Sequence, residues 1–114
     1  MLTYAIVLFT FTAIAGLILA TKVLKGKMAS WPVSIIHALA GAAGLVILVI
    51  AVLKGTSPAQ VTAALGLLVV AALGGFFLAS LHIREKIAPK SVVIIHAAVA
   101  VAGFLTLASA VLSF

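Results

Sequence analysis

The sequence predicts an all-α integral membrane protein, a four-transmembrane-helix bundle built from a tandem, parallel two-helix repeat. Three observations indicate this fold class. Charged residues make up 7% of the 114 residues, whereas soluble proteins carry about 25%. Four apolar runs are each long enough to cross a hydrocarbon core of ~30 Å as helices, which takes about 20 residues. The second half of the chain also repeats the first at a constant offset of 59 residues. The four runs cover about 2–21, 32–53, 58–81 and 91–114.

The repeat is clearest in the second apolar run of each half. Between 32–53 and 91–112, eleven of 22 positions are identical without a gap, and both copies contain the sequence Ile-Ile-His-Ala. Residues 1–57 are therefore expected to form the first two-helix repeat and residues 58–114 the second, within one membrane domain. Because each copy holds two helices, both copies have the same orientation. A pseudo-two-fold axis along the membrane normal is expected to relate them.

The ends of the four helices follow from turn and interface residues. Helix 1 is expected to start at the N-terminus and to end in a lysine-rich stretch. Trp31 and Pro32 open helix 2, as an interfacial aromatic and a proline in the first helical turn. A polar turn over 54–58 leads into helix 3, and helix 4 runs to the C-terminus. His82 falls at the end of helix 3 and is expected to be a solvated loop residue. The alternative role for it is to accept a proton beside a quinone head group.

The charge distribution predicts the topology. Six of the seven Lys and Arg residues lie in the segments that join helices 1–2 and 3–4. Short basic loops stay in the cytoplasm, so we expect both termini outside, in a bacterial inner membrane. The net charge of +6 is explained by topology, and no nucleic-acid partner is expected. The first run lacks a basic n-region and is interpreted as a true span. The expected partners are the lipid bilayer and either other membrane subunits or further copies in a homo-oligomer.

The repeated histidine is the main candidate functional feature. His37 and His96 each lie about five residues inside their helix, or roughly 8 Å below the membrane boundary at 1.5 Å per residue. An ionisable side chain at such a depth indicates a functional site. Two imidazoles at one depth, related by a two-fold axis, suit both axial positions of one haem iron. His37 and His96 are therefore the predicted metal ligands.

Small residues near the histidines extend the predicted cofactor site. Positions four and seven residues after each histidine lie on its helix face and leave room for a flat ring. Two glycines of helices 1 and 3 lie at the same depth as the histidines. Basic residues at the nearest rim suit the pairing of haem propionates. The predicted small cofactor-binding residues are Gly41, Gly44, Ala100, Gly103, Gly16 and Gly75. The predicted rim residues are Lys22, Lys25, Lys27, Arg84, Lys86 and Lys90.

These features predict a small membrane-embedded b-type cytochrome with one haem b near the cytoplasmic side. It is expected to be an electron-transfer subunit or partner of a membrane redox complex rather than a stand-alone enzyme, with a quinone as a candidate electron partner. The chain has no cysteine, which excludes thioether-linked haem and iron–sulfur clusters. No catalytic nucleophile–base set is present.

Other interpretations stay open at this point. The histidines also fit a polar packing pair, a bare metal site or a proton relay, and the glycines also fit ordinary helix packing in membranes. The chain as a whole also fits a small oligomeric transporter or channel, or a non-catalytic accessory subunit of a larger complex. A proton-coupled exporter needs an acid within the membrane, and the only acid, Glu85, lies in a loop. Thr21 and Ser80 suit either a partner for an imidazole or a bond back to their own helix.

Overall fold

The computed structural model describes all 114 residues and confirms the predicted four-helix bundle. Each helix is long and apolar enough to cross a membrane, so the protein is an integral membrane protein with a bilayer as its environment. A helix of 23 residues is about 35 Å long, which exceeds a hydrocarbon core of ~30 Å. The helices are α1 (Leu2–Leu24), α2 (Trp31–Leu53), α3 (Ala59–Ile83) and α4 (Lys90–Leu112).

The four helices occupy the corners of a bundle measuring 43 × 21 × 19 Å. Packing is most extensive between α1 and α2 and between α3 and α4, the two hairpins of the repeat. It is less extensive between α1 and α4 and between α2 and α3. Helices α2 and α4 lie diagonally opposite each other, as do α1 and α3. We call the end with the α1–α2 and α3–α4 loops the histidine end, and the opposite end, with both termini, the far end.

The surface is apolar, as a bilayer requires. Only 16 of the 114 residues are buried, and large hydrophobic side chains such as Tyr4 and Phe76, each 71% exposed, point outward. In water, such a continuous apolar surface would cause aggregation, whereas lipid tails solvate it. Seven of the buried side chains form one cluster in the far half of the bundle, which holds the four helices together there. Its members are Ala5, Phe9, Leu48, Val61, Ala64, Leu68 and Leu107.

Two helices run further than expected. Helix α1 continues through Lys22 to Leu24, and α3 continues through His82 to Ile83. A lysine does not end a membrane helix, because its long stem lets the charge reach water from within the last turn. Helix α4 ends slightly earlier than expected, at Leu112.

Helices α1 and α3 end in the same type of turn. The amide of Gly26 donates to the Val23 carbonyl (2.9 Å) and that of Lys27 to the Lys22 carbonyl (3.1 Å), which is the Schellman pattern. The second repeat reproduces both bonds at residues 81–86. In the left-handed position, however, the first repeat has Gly26 (φ 78°) and the second has Glu85 (φ 56°). A side chain in this conformation costs roughly 1–2 kcal/mol.

Replacing Glu85 with glycine is therefore expected to stabilise the protein by about 1 kcal/mol, since the strain of the left-handed residue is removed. The free energy of unfolding in detergent, measured by denaturant titration, checks this expectation. Gly26→Ala is the matched control and should destabilise by a similar amount. An unchanged or lower stability of the Glu85→Gly protein would contradict the strain assigned to this turn.

Candidate functional site

The two histidines of the repeat meet near the centre of the bundle. His37 on α2 and His96 on α4 each lie six residues from the first residue of their helix, or about 9 Å along the axis. Their ring centroids are 6.2 Å apart and the ring planes are inclined by 75°. Both side chains are half-buried. The tertiary structure thus brings together two ionisable side chains from helices that do not otherwise contact each other.

Each imidazole is held by the same hydrogen bond. His37 Nδ1 lies 2.8 Å from the Thr12 carbonyl oxygen, and His96 Nδ1 lies 2.8 Å from the Ala71 carbonyl oxygen. A carbonyl only accepts, so Nδ1 carries the proton in both rings and Nε2 keeps its lone pair. Neither Nε2 has a hydrogen-bond partner in the protein, and neither is sealed off by surrounding atoms. Metal-binding histidines are often oriented in this way by a backbone carbonyl, and a histidine that only bonds across a helix interface has the same arrangement.

Glycines make these hydrogen bonds possible. In an α-helix the carbonyl of residue i lies beside residue i+4, and the residues four after Thr12 and Ala71 are Gly16 and Gly75. A Cβ on Gly16 would lie 3.0 Å from His37 Cε1, and one on Gly75 would lie 3.3 Å from the same atom of the other histidine. With no side chain in the way, each ring lies directly on the neighbouring helix backbone.

A cavity of about 390 Å³ surrounds the histidines. It occupies the half of the bundle opposite the apolar cluster, and all four helices and both loops of the histidine end line it. Its volume is within the range of small-molecule pockets, roughly 300–1,000 Å³, and its lining is mostly hydrophobic, as such pockets usually are. The predicted site residues that line it are His37, His96, Gly16, Gly75 and Ala100. Contact between these residues and a cofactor stays a prediction.

Gly44 and Gly103 have a different role from the one expected. A Cβ on Gly44 would lie 2.9 Å from the Phe9 ring, and one on Gly103 would lie 2.8 Å from Leu68 Cγ. Both glycines are buried and neither lines the cavity. The space beside them is filled by side chains of the neighbouring helix. These two glycines therefore serve close helix packing within each hairpin.

Gly41 also lies outside the cavity. A Cβ at this position would approach the Thr12 Cγ2 atom at 3.4 Å, an ordinary contact with the neighbouring helix. Its counterpart in the repeat, Ala100, does line the cavity. The same face of α2 and of α4 turns towards the cavity, and the lining extends further along α4 than along α2.

Two of the six predicted rim residues reach the cavity. Lys27 and Lys86, which occupy equivalent positions in the two repeats, line its mouth at the histidine end. The other four do not line it. A pair of cations at the mouth of an otherwise apolar cavity suits a ligand with an apolar body and an anionic edge.

The expectation for His82 is wrong. The residue lies within α3, is only 9% exposed, and lines the cavity. Its ring stacks on Trp31, with centroids 3.8 Å apart and planes inclined by 11°, and its Nδ1 lies 3.4 Å from Ser34 Oγ. The helix continues past this position, so the side chain points inward instead of lying in a loop.

The acceptors of the histidine hydrogen bonds were not identified from the sequence. Thr21 and Ser80, the candidates there, bond back to carbonyls of their own helices. The actual acceptors are the backbone carbonyls of Thr12 and Ala71. Every residue has such a carbonyl, so the residue types at these positions do not identify the acceptor. A usable signal was the constant spacing: in both copies a glycine precedes the histidine by 21 residues.

The site lacks the ligands for a bare metal ion. No group of three His, Cys, Asp or Glu side chains comes together anywhere in the protein, whereas zinc sites use three or four protein ligands. Two imidazoles leave the other coordination positions of a metal to a cofactor such as haem or to water.

Comparison with known proteins leaves the site to be interpreted from its geometry. The chain matches no protein-family model, no curated protein sequence and no solved structure.

Proposed function

We propose that the protein is a small membrane-embedded b-type cytochrome, in which His37 and His96 hold one haem. It acts as an electron-transfer subunit or partner of a membrane redox complex. The observation that carries the proposal is the equivalent imidazole pair, with each Nδ1 bonded to a carbonyl and each Nε2 free at the cavity. When bound, the haem supplies one-electron chemistry at its iron.

The separation of the rings supports the proposal. A metal–imidazole bond of about 2 Å on each side, with each ring centre about 1 Å behind its nitrogen, places the two centroids about 6 Å apart. The observed 6.2 Å agrees. Contact between two aromatic rings also gives distances of about 4.5–7 Å, so the decisive evidence is spectroscopic.

The chain's own residues would position the cofactor. The Thr12 and Ala71 carbonyls fix the tautomer and orientation of the two imidazoles. The same hydrogen bonds make each Nε2 a more basic metal ligand. The hydrophobic lining excludes water, and Lys27 and Lys86 at the mouth would pair with propionates. The positive-inside rule places this end of the bundle in the cytoplasm and both termini outside, in the manner of a bacterial inner-membrane protein.

The direct test is the spectrum of protein purified in detergent from a haem-replete host. We expect a reduced-minus-oxidised spectrum of the b type, with low-spin, six-coordinate iron, because both axial positions are filled. The bound haem should be extractable with acidic organic solvent, since the chain has no cysteine for a thioether bond. Colourless protein that does not take up added haemin would reject the proposal and leave the transporter and accessory interpretations.

Electron entry is expected from one face of the membrane. The haem lies about 9 Å from the histidine end, which leaves roughly 20 Å of a ~30 Å core between it and the far end. The far half holds a packed apolar cluster and no histidine or cysteine. In vesicles of known orientation, a membrane-impermeant reductant should reduce the haem rapidly from the histidine end only. Equally fast reduction from both faces would contradict a single centre at this depth.

A further inference from the structure

The lining of the cavity departs from pseudo-two-fold symmetry in its polar side chains at the seam between α2 and α3. There, Trp31, Ser34 and His82 line the cavity. The equivalent positions at the seam between α4 and α1 are Lys90, Val93 and Val23. Both valines also line the cavity, so that seam presents aliphatic side chains where the seam between α2 and α3 presents polar ones. Helix α1 also packs more extensively on α4 than α2 does on α3.

His82 has one nitrogen available to a ligand. The Ser34 hydroxyl donates to the Ser30 carbonyl (2.7 Å), so its oxygen accepts from His82 Nδ1. That tautomer leaves the Nε2 lone pair without a partner in the protein, although the residue is 91% buried. Because no buried side-chain nitrogen of the protein lacks a partner, His82 Nε2 is accessible from the cavity. An accessible imidazole nitrogen beside a ligand-sized cavity indicates binding of a hydrogen-bonding group.

The seam is also accessible from the bilayer. Ile35 and Ile83 both line the cavity and both face lipid, with 51% and 69% of their surfaces exposed. A molecule dissolved in the membrane therefore reaches His82 without passing through water. Trp31 stacks on His82 and is itself half-exposed, which provides a flat aromatic surface beside the imidazole.

We propose that the opening between α2 and α3 is a binding site for the ring of a membrane quinol or quinone, with His82 as its hydrogen-bonding residue. The proposal rests on the proposed cytochrome function and names its electron donor by class. The apolar tail lies along Ile35 and Ile83 towards lipid. His82 Nε2 accepts a hydrogen bond from a quinol hydroxyl, and the protonated imidazole donates one to a quinone carbonyl.

The chemistry balances with one haem per chain. Oxidation of a hydroquinone to the quinone breaks two O–H bonds and releases two electrons and two protons. The electrons would leave one at a time to the haem that His37 and His96 would hold, and an acceptor of the redox complex would take each electron in turn. His82 Nε2 takes one proton with each electron and passes it to water at the nearby histidine end. An imidazole suits this exchange because its ring nitrogen can both accept and release a proton.

The test measures quinone binding without relying on electron transfer. Trp31 is the only tryptophan of the chain, so its fluorescence reports on this opening alone. Detergent-solubilised protein is titrated with decyl-benzoquinone, first in the haem-loaded form and then haem-free. We expect saturable quenching and a Kd raised at least tenfold by His82→Val, which installs the residue of the other repeat. His82→Gln, which keeps a hydrogen-bonding oxygen, should retain most of the affinity.

Two controls make the result specific. Thr21→Val removes a hydroxyl at the same end that is bonded within its own helix, and it should change the Kd less than twofold. Decylbenzene, which has the same tail but no ring oxygens, should show no effect of His82→Val. If His82→Val lowers protein stability, Ser34→Val tests the same site and should weaken binding several-fold, because it removes the partner of Nδ1.

The possible results separate this proposal from the proposed function. Non-saturable quenching, or equal affinity in the wild type and in both His82→Val and Ser34→Val, overturns the quinone site even when the haem spectrum is present. Saturable, His82-dependent binding by a protein that takes up no haem supports the site and rejects the cytochrome. Binding together with haem reduction by decyl-benzoquinol supports both.

Discussion

Replacing His37 or His96 with alanine is expected to lower the haem affinity at least about 100-fold. Removing a residue that only hydrogen-bonds to a metal ligand typically lowers metal affinity about 10–100-fold, and removing the ligand itself should cost more. Any haem that stays bound should be five-coordinate and high-spin, because one axial position has lost its ligand. Optical and electron paramagnetic resonance spectra of the purified variants measure both effects. The two single variants should behave alike, since the two imidazoles make equivalent hydrogen bonds.

Addition of free imidazole provides the control for folding. A His37→Ala protein that folds correctly should recover a low-spin spectrum when imidazole enters the vacated space, whereas a misfolded one should not. Without haem, each variant should lose only about 0.5–1.5 kcal/mol of stability, the usual contribution of one hydrogen bond. Wild-type spectra in both single variants would show that the iron has other ligands.

Gly44→Leu and Gly103→Leu are expected to destabilise the bundle by roughly 1–3 kcal/mol or more each, because overpacking a tight contact forces side chains and backbone apart. The first Cβ atom already lies 2.9 Å from Phe9 in one case and 2.8 Å from Leu68 in the other. Thermal unfolding in detergent measures the effect. The loss should be the same with and without haemin, since neither glycine lines the cavity.

Gly66→Leu is the matched control for these variants. A Cβ on Gly66 meets nothing within 4 Å, so leucine there should leave stability within about 1 kcal/mol of the wild type and gain from better helix propensity. Adding Phe9→Ala to Gly44→Leu should restore part of the lost stability, and this double-mutant cycle isolates the contact. Haem loss in Gly44→Leu without destabilisation of the haem-free protein would instead place Gly44 beside the cofactor.

The sequence by itself determined the fold class, the approximate spans and the pairing of the two histidines. Each of these depends on a pattern in the order of the residues alone. Hydrophobic runs of sufficient length specify membrane helices because lipid tolerates few alternatives. A repeat of two helices places equivalent residues at equal depth whatever their packing partners are. For this reason His37 and His96 were predicted as a pair before any contact between their helices was known.

Only the tertiary structure decided which residues surround the histidines. Gly16 and Gly44 look alike in the sequence. In the structure, Gly16 leaves a backbone carbonyl accessible to the His37 imidazole, whereas Gly44 packs against the Phe9 ring. His82 appeared to be a loop residue, because neither its position near a helix end nor the basic residues after it reveal which way its side chain points. These roles depend on the rotation of each helix about its own axis. In a chain that is apolar on all sides, the hydrophobic pattern leaves that rotation undetermined, and the close contacts between helices set it instead.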